Sequence, residues 1–283
     1  MYIPEILEGE ARGRLRRLYH HIKATMHVPI VPYLFRTLAF YPSFLQYAVE
    51  TSRPNLLSRS FEEAADELRA VPPPDVPVPP LPPYVTHRDL RGAAALLPVF
   101  HDANAKELLI VTAWYEALSE RPVAGNGTSV NDGEFLPPGI PAAFPRPIPL
   151  VRVESAPPHL QALLKQIVDA QRASGPASQY RALAQYPTFL TGAWQEIYPY
   201  LHEPWYQEQR RHLLDRAQVL VHRLPYPLPL SPRRLRQVLS PREIASCIGL
   251  IAMFRDLLPS LILDIDLMNR MLRQPPRRRF PFV

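Results

Sequence analysis

The chain is short of the residues that build several common functional sites. A single cysteine, Cys247, occurs in 283 residues, which excludes a disulfide framework and a metal site held by paired cysteines. Lysine is almost absent. Lys23, Lys106 and Lys165 stand against a large excess of arginine, and the formal net charge is +6. The basic residues are scattered among acids except at Arg277, Arg278 and Arg279, and no helix-turn-helix, zinc-finger or RNA-recognition signature accompanies them. No nucleic-acid partner is therefore expected. There is no phosphate-cradling glycine loop and no G-x-S-x-G nucleophile elbow. His20, His21 and His27 lack the spacing of a zinc-binding helix, so no metal is expected. No run of about 18 apolar residues occurs, and the opening MYIPEILEGEARGRLRRLYHHIK has no signal-peptide segment. The expectation is a cytoplasmic protein that does not enter a membrane.

Proline is abundant instead. The 36 prolines cluster in VPPPDVPVPPLPPYV, LPPGIPAAFPRPIPL and LPYPLPLSP, which read as stiff, extended polyproline II straps. Between them RSFEEAADELRAV, ALLKQIVDAQRA and YQEQRRHLLDRAQVLVHRL place apolar residues at helical spacings of three and four. GLIAMFRDLLPSLILDIDLMNRML is apolar nearly all round and predicts a buried helix that bends at Pro259. No segment alternates as a strand does. The predicted class is all-α with proline-rich straps.

Two stretches nearly repeat. Phe35–Leu45 and Tyr180–Leu190 share seven of eleven residues at an offset of 145. The register persists outward, from Ile22 and Ile167 to Leu68 and Leu213. The chain therefore reads as two copies of one helical unit, residues 1–122 and 150–283, joined by a Gly/Pro-rich linker over 123–149 with turns at Asn126-Gly127 and Asp132-Gly133. Two copies are too few for an open solenoid. A pseudo-two-fold pair, each unit covering the other's apolar face, is expected, and the seam between them is the natural place for a pocket. Where the copies differ, a site can be built. Gln179 stands where the first copy has Leu34.

Four stretches, VPIVPYLFRTLAFYPSFL, HDANAKELLIVTAWYEALSERPVAG, GPASQYRALAQYPTFL and the closing FPFV, resemble the group I 2-haloacid dehalogenases in order and spacing. The resemblance covers almost the whole chain. It implies a pseudo-dimeric helical fold, a homodimer, a small carboxylic-acid substrate and no cofactor. It also implies hydrolysis in which an aspartate activates a water that attacks the halogen-bearing carbon directly, with inversion and no ester intermediate. Carried over by position, the water-holding asparagine is Asn104. The backbone of Ala177 and Ser178 takes the substrate carboxylate, at a helix start where free N–H groups point outward. Phe254 and Leu258 form the apolar wall, with Tyr33 in place of another wall aromatic.

The catalytic aspartate position, however, is Gln179, and a carboxamide orients water without accepting its proton. A pocket tryptophan becomes Ile30 and a pocket tyrosine becomes Glu107. Glu107 lies three residues after Asn104, so a helix can turn both toward one site. It then supplies the lost carboxylate, or it faces solvent, or it pairs with Lys106 or an arginine. Asp264 and Asp266, set in an apolar helix, are expected to pair with arginine. Arg36 and Arg181, the repeat-related arginines, are expected to be structural ion-pair partners, with a substrate-carboxylate role open for Arg181. Three functions remain: a dehalogenase-family hydrolase with altered machinery, a non-catalytic binder of small carboxylic acids, and a structural relative.

Overall fold

The structure is a computed structural model that describes residues 2–75, 77–125 and 135–274. The turns expected at Asn126-Gly127 and Asp132-Gly133, the Arg277–Arg279 cluster and the closing FPFV lie outside the described residues. Every regular element among the described residues is helical, with one isolated bridge between Ser58 and Phe135.

The helices recur in order. In the first half these are α1 (Gly13–Met26), α2 (Tyr33–Leu38), α3 (Pro42–Leu56), α4 (Arg59–Arg69) and α5 (His87–Leu118). In the second they are α6 (Pro158–Gln171), α7 (Ser178–Leu183), α8 (Pro187–Ile197), α9 (Pro204–Val221), the short α10 (Pro232–Leu235) and α11 (Pro241–Leu272). The starts of α6 to α9 follow those of α1 to α4 at the offset of 145 read from the sequence. The long helices α5 and α11 have 32 residues each and run at an offset of 154, because α10 and its flanks are inserted before α11. They pack chiefly against each other, so the axis relating the two halves runs between counterparts.

Local chemistry explains these boundaries. Prolines open α3, α6, α8, α9, α10 and α11, where a missing N–H costs nothing and φ is already helical. Much of the proline content thus starts helices, beyond the straps the sequence suggests. Ser58, Thr86 and Ser240 cap α4, α5 and α11 by accepting from a first-turn N–H. Both α1 and α6 end in a left-handed residue, His27 at φ 57° and Arg172 at φ 53°. The next N–H reaches back five residues, Val28 to the Lys23 carbonyl at 3.0 Å and Ala173 to that of Val168 at 2.9 Å, in a Schellman-type stop. These matched turns deliver the chain to the starts of α2 and α7.

α11 runs helical through Pro259. Contrary to the sequence reading, it is long and apolar enough by composition to cross a bilayer. More than half of its most apolar stretch is buried in the protein, the behaviour of a core helix.

One core position differs sharply between the halves. Met26, Phe35, Phe61 and Ile110 are all buried in the first. Their counterparts are Gln171, Tyr180, Tyr206 and Asp264. Asp264 accepts from the Tyr180 hydroxyl, from the Tyr206 hydroxyl at 2.8 Å and from Gln171 Nε2 at 2.5 Å. The expected pairing with arginine holds for Asp266, which meets Arg270 at 2.6 Å. Asp264 instead satisfies its oxygens with neutral donors, which need no second buried charge. Burial pushes its carboxyl up to about 6, against the pull of the Tyr180 and Tyr206 hydroxyls. The folded state thus holds a proton that the unfolded chain has released between about pH 4 and 6, so this stability contribution is present in acid and lost as pH rises through 6. Asp264→Asn is expected to leave stability unchanged near pH 4 and to raise it by up to about 3 kcal/mol near pH 8, measured by denaturant titration at both values.

Candidate functional site

A small cavity lined by buried residues lies on the seam between the two halves, with a volume of about 20 Å³. Its walls come from the starts of α2 and α7 and the facing sides of α5 and α11. Asn104, Glu107, Gln179, Ala177, Ser178, Ile30, Tyr33 and Phe254 all border it. Leu258 does not. It is fully buried in the core, and Leu261 takes the wall position instead. The reason is angular: seven residues return a helix to within about 20° of the starting direction, whereas four overshoot by about 40°. Leu261 therefore shares the Phe254 face better than Leu258 does. Pro32, Phe100 and Ala103 complete the lining and were not read from the sequence.

The pseudo-symmetry shows how polarity enters. At the two offsets, Phe100 pairs with Phe254, Leu34 with Gln179, Asn104 with Leu258 and Glu107 with Leu261. In each of the last three pairs one copy is polar and the other is leucine. A duplicated apolar seam carries three polar groups, each on one side only.

These groups are deeply buried, with Asn104 4%, Glu107 5% and Gln179 1% exposed. Asn104 Nδ2 donates to Gln179 Oε1 at 2.7 Å. Gln179 Nε2 and Glu107 Oε1 have no hydrogen-bond partner among the described residues. Both residues border the cavity, and a volume near 20 Å³ holds a single water. Glu107 makes no pair with Lys106, whose ammonium bonds Glu62 and Asp102 at 2.9 Å each. Burial pushes the Glu107 carboxyl up to about 8, opposed by the nearby Arg36 charge and the Leu34 backbone N–H. Near neutral pH it holds its proton, and above 8 it becomes a carboxylate.

α7 begins at Ser178 behind Ala177, which has no side chain able to cap it. The Ser178 hydroxyl accepts from Arg36 Nη2 at 3.0 Å. Arg36 also donates through Nε to Glu5 at 2.6 Å, and Arg181 donates to the other oxygen of the same carboxylate. The Tyr33 ring meets Phe254 edge-on at 5.2 Å. Gly175 is the counterpart of Ile30, and a Cβ there would fall 2.6 Å from the Tyr33 hydroxyl, so the approach of that phenol requires glycine. No cluster of three or more potential metal ligands occurs among the described residues.

A family model described as "Halocarboxylic acid dehydrogenase DehI" matches residues 29–175. The chain is 31% identical over 271 residues to a configuration-inverting 2-haloacid dehalogenase of Alcaligenes xylosoxydans xylosoxydans, covering 93% of this chain and 92% of that protein. It is 26% identical to an (R)-2-haloacid dehalogenase of Pseudomonas putida, over 93% and 90% of the two chains. Among solved structures, a D-2-haloacid dehalogenase mutant in complex with D-2-CPA superposes with a TM-score of 0.88 at 25% identity, covering 95% of this chain and 96% of that one. The complex of D-2-haloacid dehalogenase with L-LA has a TM-score of 0.84 at 24% identity, over the same shares.

Proposed function

Because the chain belongs to the group I, DehI-type 2-haloacid dehalogenase family, we propose that it hydrolyses the carbon–halogen bond of short 2-haloalkanoic acids and that its general base has moved from position 179 to Glu107. The supporting observation is that Gln179 and Glu107, whose Nε2 and Oε1 are unpartnered among the described residues, both border a space that holds one water. Asn104 holds the Gln179 oxygen, which turns the amide N–H groups toward the water oxygen. Glu107, once ionised, accepts a proton from that water. The water oxygen bonds to C2, the carbon–halogen pair leaves with the halide, and the centre inverts. The proton on Glu107 then passes to solvent. A base of this kind contributes about 10²–10⁴ in rate, and a pKa near the working pH suits the role. Ala177, Ser178, Ile30, Tyr33, Phe254 and Leu261 shape the space around the substrate.

A single turnover of 2-chloropropionate in ¹⁸O water tests the chemistry. Direct attack places ¹⁸O in the first lactate formed, with none in the protein. Unlabelled first-turnover lactate would mean that Glu107 itself attacks carbon, and the base assignment would fail. Gln179 favours one other reading, a binder of small carboxylic acids without turnover, for which no halide is released at any pH.

A further inference from the structure

The small cavity poses a problem of access, since about 20 Å³ admits water and excludes a 2-haloacid. Two larger openings lie close by. One of about 570 Å³ is bordered by Lys23, Arg36, Arg146 and Arg152. The other, of about 470 Å³, is bordered by Tyr33, Pro176 and Arg181. The N-terminal strap, residues 2–10, forms a wall of both: Leu7 borders each, Glu5 the second and Glu8 the first. Tyr33 borders the second opening and the small cavity alike.

The strap is held chiefly by charge. Glu5 sits on Arg36 and Arg181, counterparts in the two halves whose side chains are only 1% and 7% exposed. Glu8 bonds Lys23 at 2.5 Å and the Val31 N–H at 2.9 Å. Contacts to the strap backbone add to this, among them the Tyr19 hydroxyl on the Ile6 carbonyl at 2.8 Å. The Ile3 N–H reaches the Ser174 carbonyl at 3.0 Å, the Ile6 N–H reaches that of Arg36 at 3.1 Å, and the Tyr33 hydroxyl bonds the Ile3 carbonyl at 3.1 Å. Two guanidinium groups share one carboxylate, with Arg36 also donating to the Val31 carbonyl and Arg181 to that of Val151, and Arg36 extends to Ser178 on the cavity wall.

We propose that Arg36 and Arg181 form a carboxylate-recognition site that Glu5 fills in the closed protein, and that a short carboxylic acid opens the strap by taking Glu5's place. A ligand shifts such an equilibrium only through a difference in affinity between the two states. A carboxylate supplies that difference, because it restores the buried charge pair whose loss makes lifting Glu5 costly. A neutral molecule of the same shape cannot. With the strap lifted, an acid anchored on Arg36 lies beside Ser178, within a few bond lengths of Gln179. The inference rests on the proposed reading in taking a short carboxylic acid as ligand, and it is independent of whether hydrolysis occurs.

Hydrogen exchange on the full chain tests it, with propionate, propionamide and sodium chloride at equal ionic strength, and calorimetry to establish binding. Propionate has no leaving group, so turnover does not enter. The expected result is a loss of protection of at least tenfold at the Ile3 and Ile6 amides with propionate alone. Propionate that binds without exposing the strap, equal effects of all three solutes, or no propionate binding would each overturn the proposal. Glu5→Gln, checked for folding by thermal melt, is expected to bind propionate at least tenfold more tightly than the wild type and propionamide no better. Unchanged propionate affinity in that variant would count against the site. Strap opening without halide release from 2-chloropropionate would remove the hydrolytic reading and leave this one standing.

Discussion

Glu107→Gln is expected to lower halide release from 2-chloropropionate by about 10²–10⁴ near pH 9, while the folded structure becomes more stable. Both effects follow from one environment. Glu107 is 5% exposed, its Oε1 lacks a partner among the described residues, and burial raises its carboxyl to about 8. As a carboxylate it can take a proton from water, and glutamine cannot. The same charge is costly to hold in the core. The folded-state pKa lies above the unfolded value of 4.5, so the stability contribution is complete in acid and is lost as pH rises through about 8. Removing the ionisable group is therefore neutral near pH 4 and stabilising by several kcal/mol near pH 9, on the order of 1.4 kcal/mol per unit of raised pKa. Loss of activity with a gain of stability is the signature of a functional buried acid. A structural glutamate would lose both together.

Gln179→Asp is expected to act in the opposite direction, raising halide release near pH 7 by about tenfold or more. Asn104 Nδ2 donates to the Gln179 oxygen at 2.7 Å; the aspartate is one methylene shorter, and a matching shift of the Asn104 side chain would let it donate to the carboxylate and help to keep it ionised. The new base would work below the pH at which Glu107 ionises. Two carboxylates on so small a cavity cannot both carry charge, so Glu107 would keep its proton to a higher pH. The measurement is halide release from pH 6 to 10 for the variant beside the wild type. An inert variant that still folds would show that the pocket cannot use a base at this position.

The architecture was open to sequence reading because the duplication kept one register from α1 to the start of α9, and because the helical segments are long and amphipathic. Asn104 and Glu107 could be placed on one face from their spacing alone. The inserted residues around α10 shift the register by nine before α11, which hid the pairing of Asn104 with Leu258 and of Glu107 with Leu261. The resemblance placed Leu258 on the wall, where Leu261 lies instead. Other features depend on contacts that no local pattern announces. Glu5 meets Arg36 and Arg181 across 31 and 176 residues of chain. Asp264 finds Tyr180 and Tyr206 across 84 and 58, so a partner of neutral hydroxyls was not visible beside the commoner arginine.

The proposed reading of Gln179 rests on what surrounds it. Its oxygen accepts from Asn104, it borders a water-sized space together with Glu107, and in the proposed reading Glu107 carries the base. The most direct test of that reading is the pH dependence of halide release by the wild-type protein with 2-chloropropionate. The account predicts little release near pH 6 and a rise that levels off above about pH 8, as Glu107 gives up its proton. Release that is flat across this range, or absent at pH 9, would contradict it.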